Sequence, residues 1–328
     1  MTTKERVLEI LEENRGVFLS GKELARGLEV SRNAVWKAVG ALRGEGYPIS
    51  AVTNKGYRLE IVSDVLSARS VLHALGGDSP FQVRVYRRMP STNAAVKELA
   101  AGGAPEGLLV VAGEQTKGRG RQGRPFYSPS GSGVYFSLLL RPKVAAGEAT
   151  LITTAAAVAV SRAIESVTGE TAGIKWVNDV FCRGKKVCGI LTEASLDMES
   201  GGVEYVVLGI GVNVTVPEGG FPASLGGVAG AVVSGKYQPG TRERLVAETV
   251  KQFWEFYKNL AGKAFLEEYR ARSVLTGRDA VVLTQGEEET VSVLEIDDAL
   301  RLVVRYADGE TRALSSGEVR IAVLEEKT

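Results

Sequence analysis

Apolar positions near the N-terminus recur at helical spacing. Thr2 and Glu5 fit a capping box, and Val7, Leu8, Ile10 and Leu11 then give one apolar face to a helix ending around Asn14 to Gly16. Ser20 and Glu23 form a second capping box, opening a short helix through Leu24 and Leu28. Ser31 caps a third helix, Arg32 to Arg43, with Val35, Val39 and Leu42 inward. Arg32 and Trp36 form one row of its outer face, Asn33 and Lys37 the next. Gly44 and Gly46 stop it. Ile49-Ser50-Ala51-Val52 and Gly56-Tyr57-Arg58-Leu59 then read as two short strands around Thr53-Asn54-Lys55. Three helices and a hairpin make a winged helix-turn-helix. Residues 31–58 carry Arg32, Lys37, Arg43, Lys55 and Arg58 against one acid, Glu45. That charge sits on the recognition helix and the wing, the two elements that meet DNA in such domains. The candidate DNA contacts are Ser31, Arg32, Asn33, Trp36, Lys37, Lys55 and Arg58; Trp36 reads equally well as core.

The rhythm of Val65, Leu66, Val71, Leu72 and Leu75 predicts a connecting helix, broken at Gly76-Gly77-Asp78-Ser79-Pro80. Beyond it, Phe81, Val83 and Val85 alternate as a strand, and Ser91-Thr92-Asn93 leads into an alanine-rich helix, Ala94 to Ala101. Leu108 to Ala112 and Val134 to Leu140 are strands, followed by a helix over about Glu148 to Val167. Ile174 to Val180 reads as one strand ending in a polar cluster. A turn at Arg183-Gly184 leads into the segment Lys185 to Glu193, and a second turn covers Met198 to Gly202. Tyr205 to Val214 is a further strand and Arg242 to Leu260 an amphipathic helix. Segments at 279–284, 290–296, 300–306 and 311–314, joined by turns at Gln285-Gly286, Asp297-Asp298 and Asp308-Gly309, suggest a small barrel. The expected class is α+β. It comprises a winged helix-turn-helix over 1–62, a linker over 63–80, a mixed, largely antiparallel sheet with helices over 81–272, and a β module over 273–328.

Composition narrows the chemistry. The 328 residues are 44% hydrophobic and 24% charged, ordinary for a globular chain. A net charge of +1 supplies no global field, so attraction to nucleic acid must be local. The longest apolar runs, such as Leu151 to Val160, fall short of a membrane span, and Met1-Thr2-Thr3-Lys4-Glu5 does not read as a signal peptide. Cys182 and Cys188 lack metal-ligand spacing, and His73 is the one histidine. A zinc site, a Cys-His dyad and a Ser-His-Asp triad are poorly supported. The expected setting is a reducing cytoplasm.

The densest chemistry lies in Gly118-Arg119-Gly120-Arg121-Gln122-Gly123-Arg124. Guanidinium groups fork around carboxylate or phosphate oxygens, and glycines let the backbone bend closely around an anion. A mobile loop closing over an anionic ligand fits, as does a solvated basic loop or an RNA-binding tract. It is not a Walker loop, since no Gly-Lys-Ser/Thr ends it. Ser91-Thr92-Asn93 stands where a strand feeds a helix, so its hydroxyls either cap the helix or face a ligand. The polar clusters fall at strand ends and hairpins, which can converge on one cleft.

Ser91-Thr92-Asn93, Gln115, Gly118 to Arg124, Lys175-Trp176-Val177-Asn178-Asp179, Lys185 to Leu191 and Gly209-Ile210-Gly211-Val212-Asn213 occur in that order. As a series they closely resemble the biotin–protein ligases. With the N-terminal winged helix, the chain resembles the bifunctional subclass that also represses the biotin operon. The resemblance implies a central domain of the biotin/lipoate ligase type and a C-terminal SH3-like barrel. It implies that biotin and ATP, with Mg²⁺, give biotinyl-5′-adenylate and pyrophosphate, and that biotin then passes to a lysine of biotin carboxyl carrier protein. It also implies a homodimer when adenylate is bound, operator DNA as partner with the adenylate as corepressor, and no membrane. Both nucleophiles come from substrates, so the enzyme's work is positioning and charge neutralisation.

Carried over by position, Ser91, Thr92, Asn93, Gln115, Arg119, Gly120, Arg121, Lys186 and Gly189 would bind biotin. Gly118, Arg119, Arg121, Arg124, Phe126, Asn178, Asp179 and Asn213 would bind ATP and the adenylate. Lys186 and Arg121 would be catalytic, with Lys186 between the biotin carboxylate and the α-phosphate. No Cys or His metal site is implied; Mg²⁺ would arrive with ATP, near Asp179. Trp176 would be structural support. Val177 stands where proline is usual, which puts the placement of Asn178 in question. Phe126 stands where tryptophan is frequent, and keeps a ring for stacking. Cys188 reads as a small buried apolar group. The alternatives are a biotin-sensing regulator without catalysis and a lipoate- or octanoate-transferring relative.

Overall fold

The computed structural model describes residues 2–60, 65–77, 79–142, 149–196, 202–235, 237–284, 287–315 and 317–321. Residues 61–64, where the expected winged-helix domain meets the linker, Asp78 of the expected breaker, Glu148, most of the turn at Met198 to Gly202, and Gln285-Gly286 lie outside them. The chain divides into two compact units, Met1–Ser70 with Gln238–Gly240, and Val71–Tyr237 with Thr241–Thr328.

The first unit holds α1 (Thr3–Glu13), α2 (Gly21–Leu28), α3 (Arg32–Gly44) and the hairpin β1 (Ile49–Val52) and β2 (Gly56–Leu59). Both capping boxes form, and Ser31 Oγ accepts from Ala34 N at 3.1 Å. Val7, Leu11, Leu24, Val35, Val39, Leu42 and Leu59 make a closed core. Leu19 and Tyr57 exchange two backbone hydrogen bonds of 2.8 Å, tying the wing to the segment before α2. That close approach is why Gly56, at φ +99°, carries no side chain: a Cβ there would lie 2.1 Å from Leu19 O.

The second unit begins within α4 (Ala68–Leu75). Its main sheet has β3 (Gln82–Tyr86), β4 (Leu108–Ala112), β5 (Gly133–Leu140), β6 (Gly173–Lys175), β7 (Asp179–Cys182), β8 (Lys185–Leu196) and β9 (Val203–Asn213), in the order β3-β4-β5-β9-β8-β7-β6. Only β3–β4 is parallel; the other pairs are antiparallel, giving the mixed, largely antiparallel sheet expected. α5 (Thr92–Ala101) packs on β4, β5 and β9. α6 (Ala149–Thr168) packs on β6, β7 and β8 and against α7 (Thr241–Tyr257).

The structure differs from the sequence reading in four places. At 20 residues, α6 does reach the length and apolarity of a membrane span. Its residues Leu151 to Ser161 are all buried, so this apolarity serves the protein core. The segment 174–180 is not one strand: β6 and β7 are antiparallel neighbours, with Trp176, Val177 and Asn178 as their tight connection. The last long helix stops at Tyr257 instead of Leu260, and a further short helix, α8 (Leu266–Ala271), follows it. The C-terminal segments form β10 (Asp279–Thr284), β11 (Glu287–Ile296), β12 (Leu302–Arg305) and β13 (Thr311–Leu314). A fifth strand, β14 (Glu318–Ile321), joins them, in the order β13-β12-β11-β10-β14. This antiparallel sheet is consistent with an SH3-like module, although among the described residues it is not closed into a barrel.

Charge pairs fasten α8 to α6. Arg272 grips Glu165 with Nη1–Oε1 of 2.7 Å and Nη2–Oε2 of 2.8 Å, and Glu268 Oε2 accepts from Arg162 Nε at 2.8 Å. The adjoining backbone pairs with β6, Val274 N to Ile174 O at 2.9 Å. This sets the strand that leads into Trp176 and Asn178.

Candidate active site and nucleic-acid interface

A cavity of about 410 Å³ gathers the N-terminus of α5, the arginine loop, the β6–β7 connection and the facing ends of β8 and β9. Ser91, Thr92, Asn93, Gln115, Arg119, Gly120, Arg121, Arg124, Phe126, Asn178, Asp179, Lys186, Gly189 and Asn213 all line it. Gly118 is the one predicted residue of this set that does not. A Cβ on it would fall 2.4 Å from Phe126 O and 2.7 Å from Ser128 Oγ, so it lets the loop fold back on itself.

At one end lies a hydrogen-bonded polar floor. Ser91 caps α5, with Oγ accepting from Ala94 N at 3.4 Å. Thr92 N donates to Gln115 Oε1 at 2.8 Å, and Gln115 Nε2 donates to Ser128 Oγ at 3.2 Å. Asn93 Nδ2 donates to Glu193 Oε2 at 2.8 Å, and its Oδ1 lies 2.6 Å from Ser137 Oγ. Gly209 makes room for that amide; a Cβ there would meet Asn93 Oδ1 at 2.0 Å.

The arginine loop is folded by its own backbone. Gly120 N donates to Arg124 O at 2.7 Å and Phe126 N to Gly118 O at 2.9 Å, around a 3₁₀ turn at Arg121–Gly123 with Gln122 at φ 55°. Arg121 Nη1 donates to Asn178 Oδ1 at 3.1 Å. The Phe126 ring lies over two glycines: a Cβ at Gly211 would meet it at 2.5 Å and one at Gly189 at 2.9 Å. Gly189 thus accommodates a ring of the protein itself beside the cavity.

At the opposite end, Lys186 Nζ pairs with Asp179 Oδ1 at 2.6 Å. Asn178 is held twice to β8: its Nδ2 donates to Ile190 O at 2.9 Å, and its own O accepts from Ile190 N at 3.0 Å. Asn178 is therefore fixed although Val177 replaces the expected proline. The Trp176–Val177 peptide is cis. Tyr269 of α8 donates to Val177 O at 3.0 Å, and Trp176 Nε1 donates to Leu300 O, in the turn between β11 and β12, at 2.9 Å. Asn213 Nδ2 donates to Gly230 O at 3.1 Å. Lys185 is exposed and its Nζ donates to Gly227 O at 2.7 Å.

The cysteines are no nucleophiles. Both are free and buried, and burial pushes the Cys182 thiol up to about 11 and raises the Cys188 thiol further. Among the described residues no group of three or more His, Cys, Asp or Glu could hold a metal. Among the described residues Asp179 is the one carboxylate lining the cavity, so a metal ion there would depend on oxygens brought by a substrate.

In the first unit, Ser31, Arg32, Asn33, Lys37 and Lys55 are exposed. Trp36 is 63% exposed, which removes it from the core. Arg58 differs from its neighbours. It is half-buried, pairs with Glu60 at 2.9 Å, and lies over the Phe18 ring at 4.6 Å to the centroid. Its charge is already compensated within the wing.

Ser137, Glu193, Tyr269 and Leu300 were not singled out from the sequence. Ser137 leaves a signal, as the one small polar residue in the run Val134 to Leu140. Leu300 acts through its backbone carbonyl and leaves none.

A seven-stranded mixed sheet with an arginine loop and a lysine-bearing hairpin, carried with a winged helix, defines a ligase of the biotin and lipoate type joined to a DNA-binding domain. The sequence profile of the biotin/lipoate A/B protein ligase family matches residues 85–213, and an HTH domain profile matches residues 3–58. The bifunctional ligase/repressor BirA of Bacillus spizizenii is 36% identical over 265 residues, covering 80% of this chain and 81% of that protein. BirA of Bacillus subtilis is 40% identical over 229 residues, 70% of each chain. The biotin–[acetyl-CoA-carboxylase] ligase of Mycobacterium tuberculosis is 32% identical, covering 73% of this chain and 88% of that one. The biotin protein ligase of Aquifex aeolicus, solved with biotin and ATP, shares the fold, with a TM-score of 0.61 at 24% identity over 74% of this chain and 99% of that one. The chain belongs to the biotin/lipoate A/B protein ligase family, among its bifunctional ligase/repressors.

Proposed function

We propose that this protein is an ATP-dependent biotin–protein ligase and a biotin-responsive transcriptional repressor. The observation that carries the ligase half is the shared cavity: the polar groups of Thr92 and Gln115 and the cationic groups of Arg119, Arg121 and Lys186 line one and the same space. Biotin is a polar bicyclic head group on an apolar chain ending in a carboxylate. Its head would sit on Ser91, Thr92 and Gln115, its chain beside Phe126 and the glycines, and its carboxylate near Lys186.

Joining that carboxylate to ATP brings two anions together. Lys186, Arg119 and Arg121 would offset their repulsion and the charge that develops at the α-phosphate. Asn178 would orient Arg121. Mg²⁺ would enter on the triphosphate, with Asp179 supplying one further oxygen. Biotinyl-5′-adenylate and pyrophosphate result, and an acceptor lysine of a biotin carboxyl carrier protein then attacks the acyl carbon, releasing AMP. Two buried free cysteines suit a reducing, cytoplasmic setting.

Repression rests on the exposed polar row of α3 and on Lys55 of the wing. A homodimer formed on the adenylate-bound state would present two such faces to a palindromic operator. The test is one titration of labelled operator DNA with protein alone, with biotin, and with biotin plus Mg-ATP, with pyrophosphate assayed in the same samples. Pyrophosphate with adenylate-dependent DNA binding supports both halves. Pyrophosphate alone leaves a ligase without that operator. DNA binding responsive to biotin without pyrophosphate supports the non-catalytic sensor, and competition by lipoate supports the lipoate-transferring relative.

A further inference from the structure

Behind the cavity floor lies a relay of four polar side chains whose proton directions can be worked out from one end. Ser137 has no exposed surface. Its Oγ lies 2.6 Å from Asn93 Oδ1 and 2.7 Å from Thr92 Oγ1. At the far end stands Glu193. Burial raises its pKa, but hydrogen bonds from Lys97 and Asn93 outweigh that and hold it below the ordinary glutamate value. It is ionised and only accepts.

Asn93 must therefore turn its Nδ2 toward Glu193 Oε2, at 2.8 Å, with Leu191 O as a second acceptor at 3.4 Å. Its Oδ1 then faces Ser137. An amide oxygen cannot donate, so Ser137 places its single proton there. The 2.7 Å contact between the two hydroxyls must in turn be donated by Thr92. Gln115 Oε1, which is 3.1 Å from Thr92 Oγ1, is supplied by the Thr92 N–H at 2.8 Å. Thr92 has no proton left for the cavity it lines.

We propose that Glu193, Asn93 and Ser137 are positioning residues that fix the Thr92 hydroxyl as an acceptor, so that this end of the cavity selects a head group presenting an N–H. A cyclic urea satisfies that acceptor. A dithiolane or a plain acyl chain leaves it buried and unpaired, which costs affinity. The inference rests on the biotin reading above and adds the physical basis of its head-group selectivity.

The test measures binding of biotin, and of biotin methylated on each ureido nitrogen in turn, to the full chain and to Ser137→Ala and Glu193→Gln. One N-methyl isomer should bind the unaltered protein about tenfold or more weakly than biotin, the loss expected for one buried hydrogen bond. In Ser137→Ala the Thr92 hydroxyl loses that acceptor and divides its proton between Gln115 Oε1, at 3.1 Å, and the cavity. Biotin should bind about tenfold more weakly, the N-methyl penalty should shrink, and the KM for ATP should stay within about twofold. Glu193→Gln lets the Asn93 amide turn over, and should shrink the penalty in the same direction. It is part-exposed and nearly isosteric, so it carries the comparison should Ser137→Ala not fold. An unchanged N-methyl penalty in both variants, or equal rises in both KM values, would overturn the proposal. Failure of the unaltered protein to bind biotin at all would overturn the ligase reading instead.

Discussion

Lys186 and Asp179 stand on one face of the β7–β8 hairpin because of a single register shift. Asp179 pairs with Gly189 and Val180 with Cys188, but Phe181 pairs with Lys186, so Val187 is an extra residue on β8. Side chains alternate faces along a strand. Without the bulge, Lys186 would oppose Cys182 and point away from Asp179. With it, the two reach 2.6 Å.

That placement predicts the cost of removing the lysine. Lys186→Ala should lower the rate of biotin-dependent pyrophosphate release by about 10²–10³-fold, the scale of losing one positioned transition-state charge. Stability should change little, because the ammonium is part-exposed. Asp179→Asn should cost less than Lys186→Ala in the same assay. Equal activity of Lys186→Ala and the unaltered protein would refute the role.

The glycines of β9 separate packing from ligand effects. Gly209→Ala forces a Cβ to within 2.0 Å of Asn93, in a rigid buried network. Denaturant titration should show a loss of about 1–3 kcal/mol, typical of overpacking. In Gly211→Ala the clash is with the Phe126 ring, at 2.5 Å. Displacing that ring should raise the KM for biotin more than it lowers the melting temperature.

Operator binding should distinguish paired from unpaired cations. Lys37→Ala and Lys55→Ala should each reduce the slope of log K against log salt by about 0.9, one phosphate contact. Arg58→Ala should change it less, since Glu60 already pairs with Arg58. Trp36→Ala should weaken specific binding while changing stability by no more than about 0.5 kcal/mol, as expected for an exposed side chain.

Acid should loosen α8 from α6. The Arg272 fork holds Glu165 below its ordinary value of 4.5. For Glu268, burial pushes upward, but hydrogen bonds from Arg162 and Arg272 prevail and its pKa is also lowered. Carboxyls with depressed folded pKa values contribute stability that is complete above the unfolded value and lost as pH falls through the folded one. Urea midpoints should therefore drop as pH falls below 4.5. Arg272→Met should be less stable at pH 7 and show a smaller acid-dependent drop.

Much of this molecule was determined by local sequence. Capping boxes at Thr2 and Ser20, the apolar face of α3 and the all-buried strand β4 follow from short-range patterns, since caps and periodicities involve residues only a few positions apart. The cavity residues also announced themselves, through residue types suited to anions at the ends of elements. Other features required contacts distant in sequence. Trp36 could not be placed until the rest of the winged-helix core had formed without it. That Arg58 pairs with Glu60 and lies over Phe18 is likewise a matter of the folded wing and not of the basic residue's place in the sequence. The split of residues 174–180 into two strands depends on pairing with β8. The bulge at Val187 and the proton order through Ser137 depend on neighbours many residues away, Glu193 among them. Sequence by itself specified which groups this protein has for binding an anion. Tertiary structure decided which way they face, because facing is set by strand register and hydrogen-bond partners, and neither is a local property of the chain.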